Sequence, residues 1–283
     1  MNDHGLQPSA CRRLLANRAA LIALATILAL IALAIVGPYV NPNRYDTLDW
    51  ANIAMPPGLR HAHWFGTDRL GRDLFVRTLQ GTRLSLAIGS IATAVSLAVG
   101  IVYGAVAGFV GGRIDHLMVR VIEILSGLPL IFFVIFLTVV FGRNIFLLFF
   151  AIGAVSWLNM ARIVRGQAMV LRGREFIEAA IAAGAGPARI IFRHIVPNVI
   201  GPVIVYATLT VPQIILFESF LSFLGLGVQE PRASLGTLIA QGAAEMESAP
   251  WMLLVPGAVL AVLLISFNVL GDALRDALDV KRN

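Results

Sequence analysis

Six long apolar stretches dominate this sequence and restrict the folds that it can adopt. A helix needs about 20 apolar residues to cross a bilayer core, where every backbone group must find its hydrogen bond within the protein. Gly127-Leu128-Pro129 interrupts the third stretch. The stretches lie at about 19–36, 84–110, 119–141, 145–160, 199–226 and 251–270. We therefore predict an all-α membrane protein with six transmembrane helices.

The composition supports a membrane protein and argues against a nucleic-acid partner. Of the 283 residues, 58% are hydrophobic and 13% are charged, whereas about 25% of the residues in soluble domains are charged. The net charge of +6 would suit nucleic acid if the basic residues clustered on one face of a soluble fold. They lie instead between the apolar stretches, so we expect membrane lipid around the chain and no nucleic acid.

Arginine is concentrated in the segment 162–198, which holds six arginines and only two glutamates. Short segments rich in arginine stay on the cytoplasmic side of a membrane. Four stretches precede this segment, so the N-terminus, with Arg12, Arg13 and Arg18, lies on the same side. Both termini are then cytoplasmic. The predicted division is an N-terminal segment at 1–18, a membrane domain at 19–272 and a tail at 273–283.

The segment 38–83 is an exception, because it is rich in arginine and yet lies on the predicted outside. Three opposite-charge pairs in it are each four residues apart. They are Asp68 with Arg72, Arg69 with Asp73, and Asp73 with Arg77. Pairs at this spacing face one another on a helix and stabilise it by a few tenths of a kcal/mol. We predict a short amphipathic helix that leads into the second apolar stretch.

Several polar residues within or beside the apolar stretches are candidates for a translocation path or a subunit interface. Such groups are costly in lipid and therefore tend to face water or a partner. They are Glu123, Asn159, Glu218, Ser222 and Asn268. For Glu218, which lies within a long apolar stretch, pore lining and a hydrogen bond to a second subunit are equally good explanations.

Four glycines recur at every fourth position near the end of the second stretch. Gly100, Gly104, Gly108 and Gly112 would line one face of a helix. Small residues at this spacing let another helix approach closely in lipid. That helix could belong to a second membrane subunit or to this chain, and we favour a contact within the chain.

The sequence lacks the residues for several kinds of chemistry. An ATP-binding P-loop needs a lysine in a Gly-rich turn, and the only lysine, Lys281, is the third residue from the end. The single cysteine, Cys11, cannot form an intrachain disulfide or a multi-thiolate metal site. His61 and His63 lack a metal-ligand spacing, and no Gly-x-Ser-x-Gly elbow occurs. We predict no catalytic residue, no metal site and no cofactor in this chain.

Glu178-Ala-Ala, followed by Gly184 and Pro197, resembles the EAA loop of bacterial ABC importer permeases. His194 and Val196 depart from the general pattern of that loop, although peptide permeases often carry the histidine. Four further segments resemble the C-type membrane subunit of the oligopeptide and dipeptide importers. They lie at 66–73, 156–167, 217–227 and 268–279. The resemblance covers nearly all of the chain after Arg12.

The resemblance implies a permease subunit of an ATP-driven peptide importer in the bacterial inner membrane, closest to the oligopeptide permease. In that family the EAA loop, here within 162–198, forms two short helices that join at the glycine and dock into an ATPase subunit. The implied docking residues are Glu178, Ala179, Ala180 and Gly184, with Arg174, Glu175, Arg189 and Arg193 as flanking ion pairs. The implied partners are a homologous second permease, an extracytoplasmic peptide-binding protein and two ATPase subunits that bind ATP and Mg²⁺.

Other functions stay open at this point. The solute could be a dipeptide, a nickel chelate or glutathione, because the permease motifs indicate architecture more than substrate. A stand-alone channel or secondary carrier would predict paired broken helices in two inverted halves, and the sequence has no corresponding pair of interruptions. A scaffold without transport would leave the EAA loop unexplained.

Overall fold

The computed structural model describes residues 10–58, 63–142 and 145–278, which form helices and connecting loops without a β-strand in that part of the chain. Lys281, His61 and parts of both predicted terminal segments lie outside the described residues. The helices before the EAA loop are α1 Ala10–Ala16, α2 Arg18–Val40, α3 Leu74–Val110, α4 Gly112–Ser126, α5 Leu130–Phe141 and α6 Ile145–Arg172. Those that follow are α7 Glu175–Ala182, α8 Pro187–Ile190, a π-helical turn Ile191–Ile195, α9 Val196–Phe223, α10 Leu235–Ala244 and α11 Trp251–Leu278.

Among the described residues, four helical segments are long and apolar enough to cross a membrane. They are Arg18–Val40, Leu74–Val110, Pro187–Phe223 and Trp251–Leu278. A fifth crossing is possible if α4 and α5 form one broken span, and these two helices meet at a bend of 76°. The bend coincides with the predicted interruption, because Pro129 lacks an N–H and disfavours a helical conformation of the preceding residue. The predicted fourth span, 145–160, begins among residues whose side chains are not described, so it stays a prediction.

Helix α3 lies at the centre of the fold and contacts α2, α6, α9 and α10. Its closest neighbour is α6, and three of the four predicted glycines lie at that contact. A Cβ on Gly104 or Gly108 would overlap a backbone carbonyl oxygen of α6, and one on Gly100 would lie 2.6 Å from the Met160 Cβ. Gly112 is different, since α3 ends at Val110 and nothing lies within 4 Å of a Cβ built there. The close contact within the chain therefore involves three glycines.

The predicted amphipathic helix within 38–83 does not form as a separate element, because the described residues between α2 and α3 form turns and loops, and the helix that leads into the second apolar stretch is α3 itself, which begins at Leu74. Gly71 has a φ of +73°, and a Cβ there would overlap the Asp49 carbonyl, so the chain turns sharply before α3. Of the three predicted pairs only Asp68–Arg72 forms among the described residues, with Oδ2 and Nε 2.6 Å apart. Asp73 instead caps α3 by accepting the Val76 N–H at 2.9 Å.

Candidate functional site

The predicted docking loop folds as a helical hairpin, α7 and α8, that is anchored in the membrane domain. Four isoleucines provide the anchor, and their exposed fractions are between 0 and 5%. They are Ile177, Ile190, Ile191 and Ile195. They belong to one apolar cluster with Phe109 of α3 and with Val164 and Ala168 of α6. Burial of each isoleucine stabilises the attachment by about 1.5–3 kcal/mol, so this segment, 175–195, is held firmly against the bundle.

Gly184 forms the turn between the two helices. Its φ is +78°, a conformation that glycine adopts without the steric cost of a Cβ. Its N–H donates to the Ile181 carbonyl at 2.9 Å, and the Ala185 N–H donates to the Ala180 carbonyl at 3.0 Å. This pair of hydrogen bonds is the Schellman motif, which satisfies the last carbonyls of a helix. The turn therefore fixes how α8 leaves α7.

The outer face of the hairpin is exposed and partly apolar. Glu178 and Ala179 are exposed and Ala180 is half-buried. The same hairpin and the π-helical turn after it expose three large apolar side chains, Phe176, Ile181 and Phe192, with exposed fractions of 43, 50 and 58%. Sequence reasoning missed these three, although each is an apolar residue in an otherwise polar segment. Exposed apolar side chains grouped among charged ones are typical of a protein interaction surface.

The predicted flanking charges of the hairpin form no ion pair inside the described part of the chain. Arg174, Glu175, Arg189 and Arg193 are all exposed. The ion pairs of the described residues include none of the four. These side chains are thus accessible to a partner, and their role as flanking ion pairs in docking stays a prediction.

A second feature that sequence reasoning missed links α4 to α6. Arg165 donates two hydrogen bonds to the Asp115 carboxylate, at 2.5 and 2.7 Å. Arg172 donates to the carbonyl of Val110 at 3.2 Å. A bidentate arginine–carboxylate pair fixes geometry as well as adding energy, so the corner between α3 and α4 is tied to the helix that leads into the hairpin. The two partners are 50 residues apart, a separation at which sequence gives no pairing signal.

A cleft of about 580 Å³ lies between α6 and α9. Its polar lining residues are Ser156, Asn159, Arg162, Tyr206, Thr210 and Gln213. Of the five polar residues predicted for a path or interface, only Asn159 reaches this cleft. Glu123 is exposed on α4 and pairs with Arg120 at 3.2 Å, while Asn268 is exposed on α11.

Glu218 is fully buried inside the chain. Its carboxylate accepts hydrogen bonds from Ser222 at 2.6 Å and from Ser85 of α3 at 3.2 Å. The Ser85 Oγ also accepts the N–H of Leu235, and Ser222 contacts Ser234, the N-cap of α10. Glu218 and Ser222 therefore hold α3, α9 and α10 together, and neither belongs to the exposed surface on which a pore wall or a subunit interface would have to lie.

A further polar network joins α3, the loop before it and the loop before α10. Arg72 donates to Glu230 at 3.0 Å, and Gln241 of α10 donates to the same carboxylate at 2.9 Å. The hydrogen bond from Arg72 holds the pKa of Glu230 below its ordinary value. The buried ring of His63 lies 2.8 Å from the Asp73 carboxylate. These contacts brace the side of the molecule opposite the hairpin.

Comparison with known proteins decides the family. Residues 100–283 match the family described as binding-protein-dependent transport system inner membrane component. The chain belongs to this family. Residues 9–57 also match the N-terminal TM domain of oligopeptide transport permease C. This inner membrane transport component is therefore a permease subunit and not an enzyme, and the resemblance seen in its sequence is confirmed.

Named relatives of this transport component cover almost the whole chain. The oligopeptide transport system permease protein OppC of Haemophilus influenzae is 50% identical over 99% of this chain and 90% of its own length. The Escherichia coli K12 protein of that name is 52% identical over 99% of this chain and 93% of its own length. The dipeptide transport system permease protein DppC of Bacillus subtilis is 43% identical over 96% of this chain and 85% of its own.

A solved structure shares the fold of this transport component. The inward-facing MetNI methionine ABC transporter has a chain that superposes with a TM-score of 0.58 at 17% identity. The superposition covers 71% of this chain and 96% of that one. At this identity the likeness concerns the fold alone.

Proposed function

We propose that this chain is the membrane-spanning permease subunit of an ATP-driven peptide importer and forms half of its translocation pathway. The names of the relatives that are 50 and 52% identical support an oligopeptide as the solute. A dipeptide is the second candidate, which the 43% identical Bacillus subtilis relative favours.

The anchored hairpin, α7 and α8, is the main support for a role in coupling the permease to an ATPase subunit. Ile177 and the isoleucines of the π-helical turn fix it to α3 and α6, while Phe176, Ile181 and Phe192 stay exposed. A segment that is attached firmly on one face and apolar on the other suits the transfer of movement from a docked partner. We infer that an ATPase subunit binds the face around Glu178, Ala179 and Gly184, with the surrounding arginines and Glu175 at its rim.

The proposed assembly has a second homologous permease, two ATPase subunits that bind ATP and Mg²⁺, and an extracytoplasmic peptide-binding protein. In this proposal the chain crosses the inner membrane six times, with α4 and α5 as one broken span and with both termini in the cytoplasm. ATP binding would close the ATPase pair and favour one of two arrangements of the permeases. Asn159 and the rest of the cleft between α6 and α9 would line this subunit's half of the path.

Purification from the native membrane in mild detergent, followed by mass spectrometry, tests the assembly. We expect a second permease and one or two ATPases to be recovered with the chain. Ile181→Glu, which places a charge on the apolar face, is expected to lower ATPase recovery about tenfold, the loss typical of a central interface residue. Met246→Glu is the matched control, because Met246 is also an exposed apolar residue but follows α10. Recovery of the chain alone, even after cross-linking, would contradict the docking proposal.

A further inference from the structure

The cleft between α6 and α9 carries one formal charge, that of Arg162. The other polar side chains of its lining are neutral, and the described lining includes no carboxylate. A cationic group that lines a cleft among hydroxyl and amide groups attracts anionic ligands and repels cationic ones.

The guanidinium of Arg162 is held in place by neutral acceptors. It donates to the Ser126 hydroxyl at the end of α4 at 2.6 Å and to the Asn159 Oδ1 at 3.3 Å. A guanidinium has five N–H donors, so these two hydrogen bonds leave three donors for a ligand. Within the described ranges no ion pair includes Arg162. Its orientation is therefore set, while its charge is uncompensated in that part of the chain.

The size and chemistry of the cleft fit a peptide carboxylate at this position. A volume of about 580 Å³ lies within the range of small-ligand sites, which is about 300–1,000 Å³. The planar fork of arginine binds a carboxylate with two parallel hydrogen bonds. The exposed amide of Gln213, across the cleft on α9, offers neutral hydrogen bonds of the kind that a peptide backbone needs.

We propose that Arg162 is a carboxylate-binding residue of the translocation path, and that it makes the path favour anionic over cationic peptides. This inference rests on the proposed function. Arg162 lies at the end of the cleft nearer the docking hairpin, since α6 runs from there directly into α7. A carboxylate would thus be bound where the peptide leaves the cleft toward the side of the ATPase.

The test uses the complete complex with its binding protein in lipid vesicles. Uptake is measured for three peptides that are identical except for Glu, Gln or Lys at one position. The variants are Arg162→Gln, Arg162→Lys and Arg162→Glu. Arg113→Gln is the matched control, because it removes the same charge from an exposed arginine on α4 that does not line the cleft. The binding protein is the same throughout, so its own selectivity cancels between variants.

We expect Arg162→Gln to lower the ratio of Glu-peptide to Gln-peptide uptake about fivefold, the factor for one charge pair at contact distance in water. Arg162→Lys should retain most of the ratio, and Arg162→Glu should favour the Lys peptide. The inference would be overturned if the ratio of Glu-peptide to Gln-peptide uptake were the same in Arg162→Gln, the wild type and Arg113→Gln. It would also be overturned if Arg162→Gln lowered the uptake of all three peptides equally. If the wild-type complex took up no Gln peptide, the proposed function would fail and this inference with it.

Discussion

A side chain at Gly184 would meet no neighbouring atom within 4 Å, so a substitution there acts first through the backbone. Its left-handed conformation costs most L residues roughly 1–2 kcal/mol, whereas asparagine adopts it more readily. We predict that Gly184→Ala lowers the recovery of ATPase subunits with the purified chain at least about fivefold. Gly184→Asn should retain most of the recovery.

The comparison of these two variants separates conformation from contact. Both add a Cβ at the same place on the hairpin, and asparagine is the larger of the two but adopts the left-handed conformation more readily. Equal recovery losses for alanine and asparagine would mean that the docked partner needs the space itself, and the strain explanation would be abandoned.

Glu218 is the second residue at which the structure gives a sharp expectation. Its replacement by alanine leaves the hydroxyls of Ser85 and Ser222 without their acceptor inside the protein. A buried polar group that loses its partner costs about 1–3 kcal/mol. We predict that Glu218→Ala lowers the free energy of unfolding by about 2 kcal/mol or more, measured by thermal unfolding of the purified chain. Glu218→Gln keeps an acceptor oxygen and should cost less. Identical unfolding curves for the wild type and Glu218→Ala would refute the assigned bracing role.

Helices α3 and α6 can pack closely together because the glycines of α3 at their contact have no side chains. A Cβ at Gly104 would overlap the Ala161 carbonyl oxygen, and forcing atoms into a packed interior costs about 1–3 kcal/mol. Gly104→Ala is therefore expected to lower the midpoint of thermal unfolding. Gly166→Ala is the matched control, since Gly166 lies in α6 with nothing within 4 Å of a built Cβ. It should leave the midpoint unchanged or raise it, because alanine favours a helix. A fall of equal size in both variants would contradict a packing origin.

The link between Arg72 and Glu230 predicts a dependence of stability on pH. The folded pKa of Glu230 lies below its ordinary value of 4.5, first because Arg72 donates a hydrogen bond to it. The pair of Arg72 and Glu230 therefore contributes its full stabilisation when the pH is above the ordinary pKa of Glu230. This contribution is lost as the pH falls through the lower pKa of the folded state. We expect the wild type to unfold at a higher temperature than Glu230→Gln near neutral pH, with a difference that disappears in acid. The Glu230 side chain is 43% exposed, so solvent screening keeps this difference small. A difference that grew in acid would contradict the assigned direction.

For the whole molecule, the proposed topology predicts opposite accessibility of two exposed loops. The chain has one cysteine, so Cys11→Ser provides a background without thiols. In that background, Glu247→Cys should react with a membrane-impermeant maleimide in intact cells from which any outer membrane has been removed. Ala188→Cys, on the docking hairpin, should react only after the inner membrane is permeabilised. Both positions are exposed, and reaction of both in intact cells would rule out the six-span arrangement.

The sequence predicted the four long apolar helices α2, α3, α9 and α11, since the requirement for apolar length in a bilayer is local and strong. It also located the turn at Gly184 and the bend at Gly127–Pro129, where residues with special backbone preferences mark the change of direction. It failed where partners are distant in sequence. Asp68 and Arg72 suggested a helix, yet both are buried in a loop, where Arg72 also pairs with Glu230, 158 residues farther along the chain. Glu218 was predicted for a path or an interface, because periodicity could not place Ser85 beside it.

The cleft between α6 and α9 affects how long the protein persists in the membrane before its complex assembles. Asn159, Arg162 and Gln213 are exposed in this chain, and in a lipid bilayer such side chains are costly unless water or a companion subunit covers them. A copy without a partner subunit therefore exposes these polar side chains to lipid at a cost in free energy. It also presents a surface that cellular quality control can detect. We expect the abundance of this protein to follow the synthesis of its companions, with unassembled copies degraded soon after insertion.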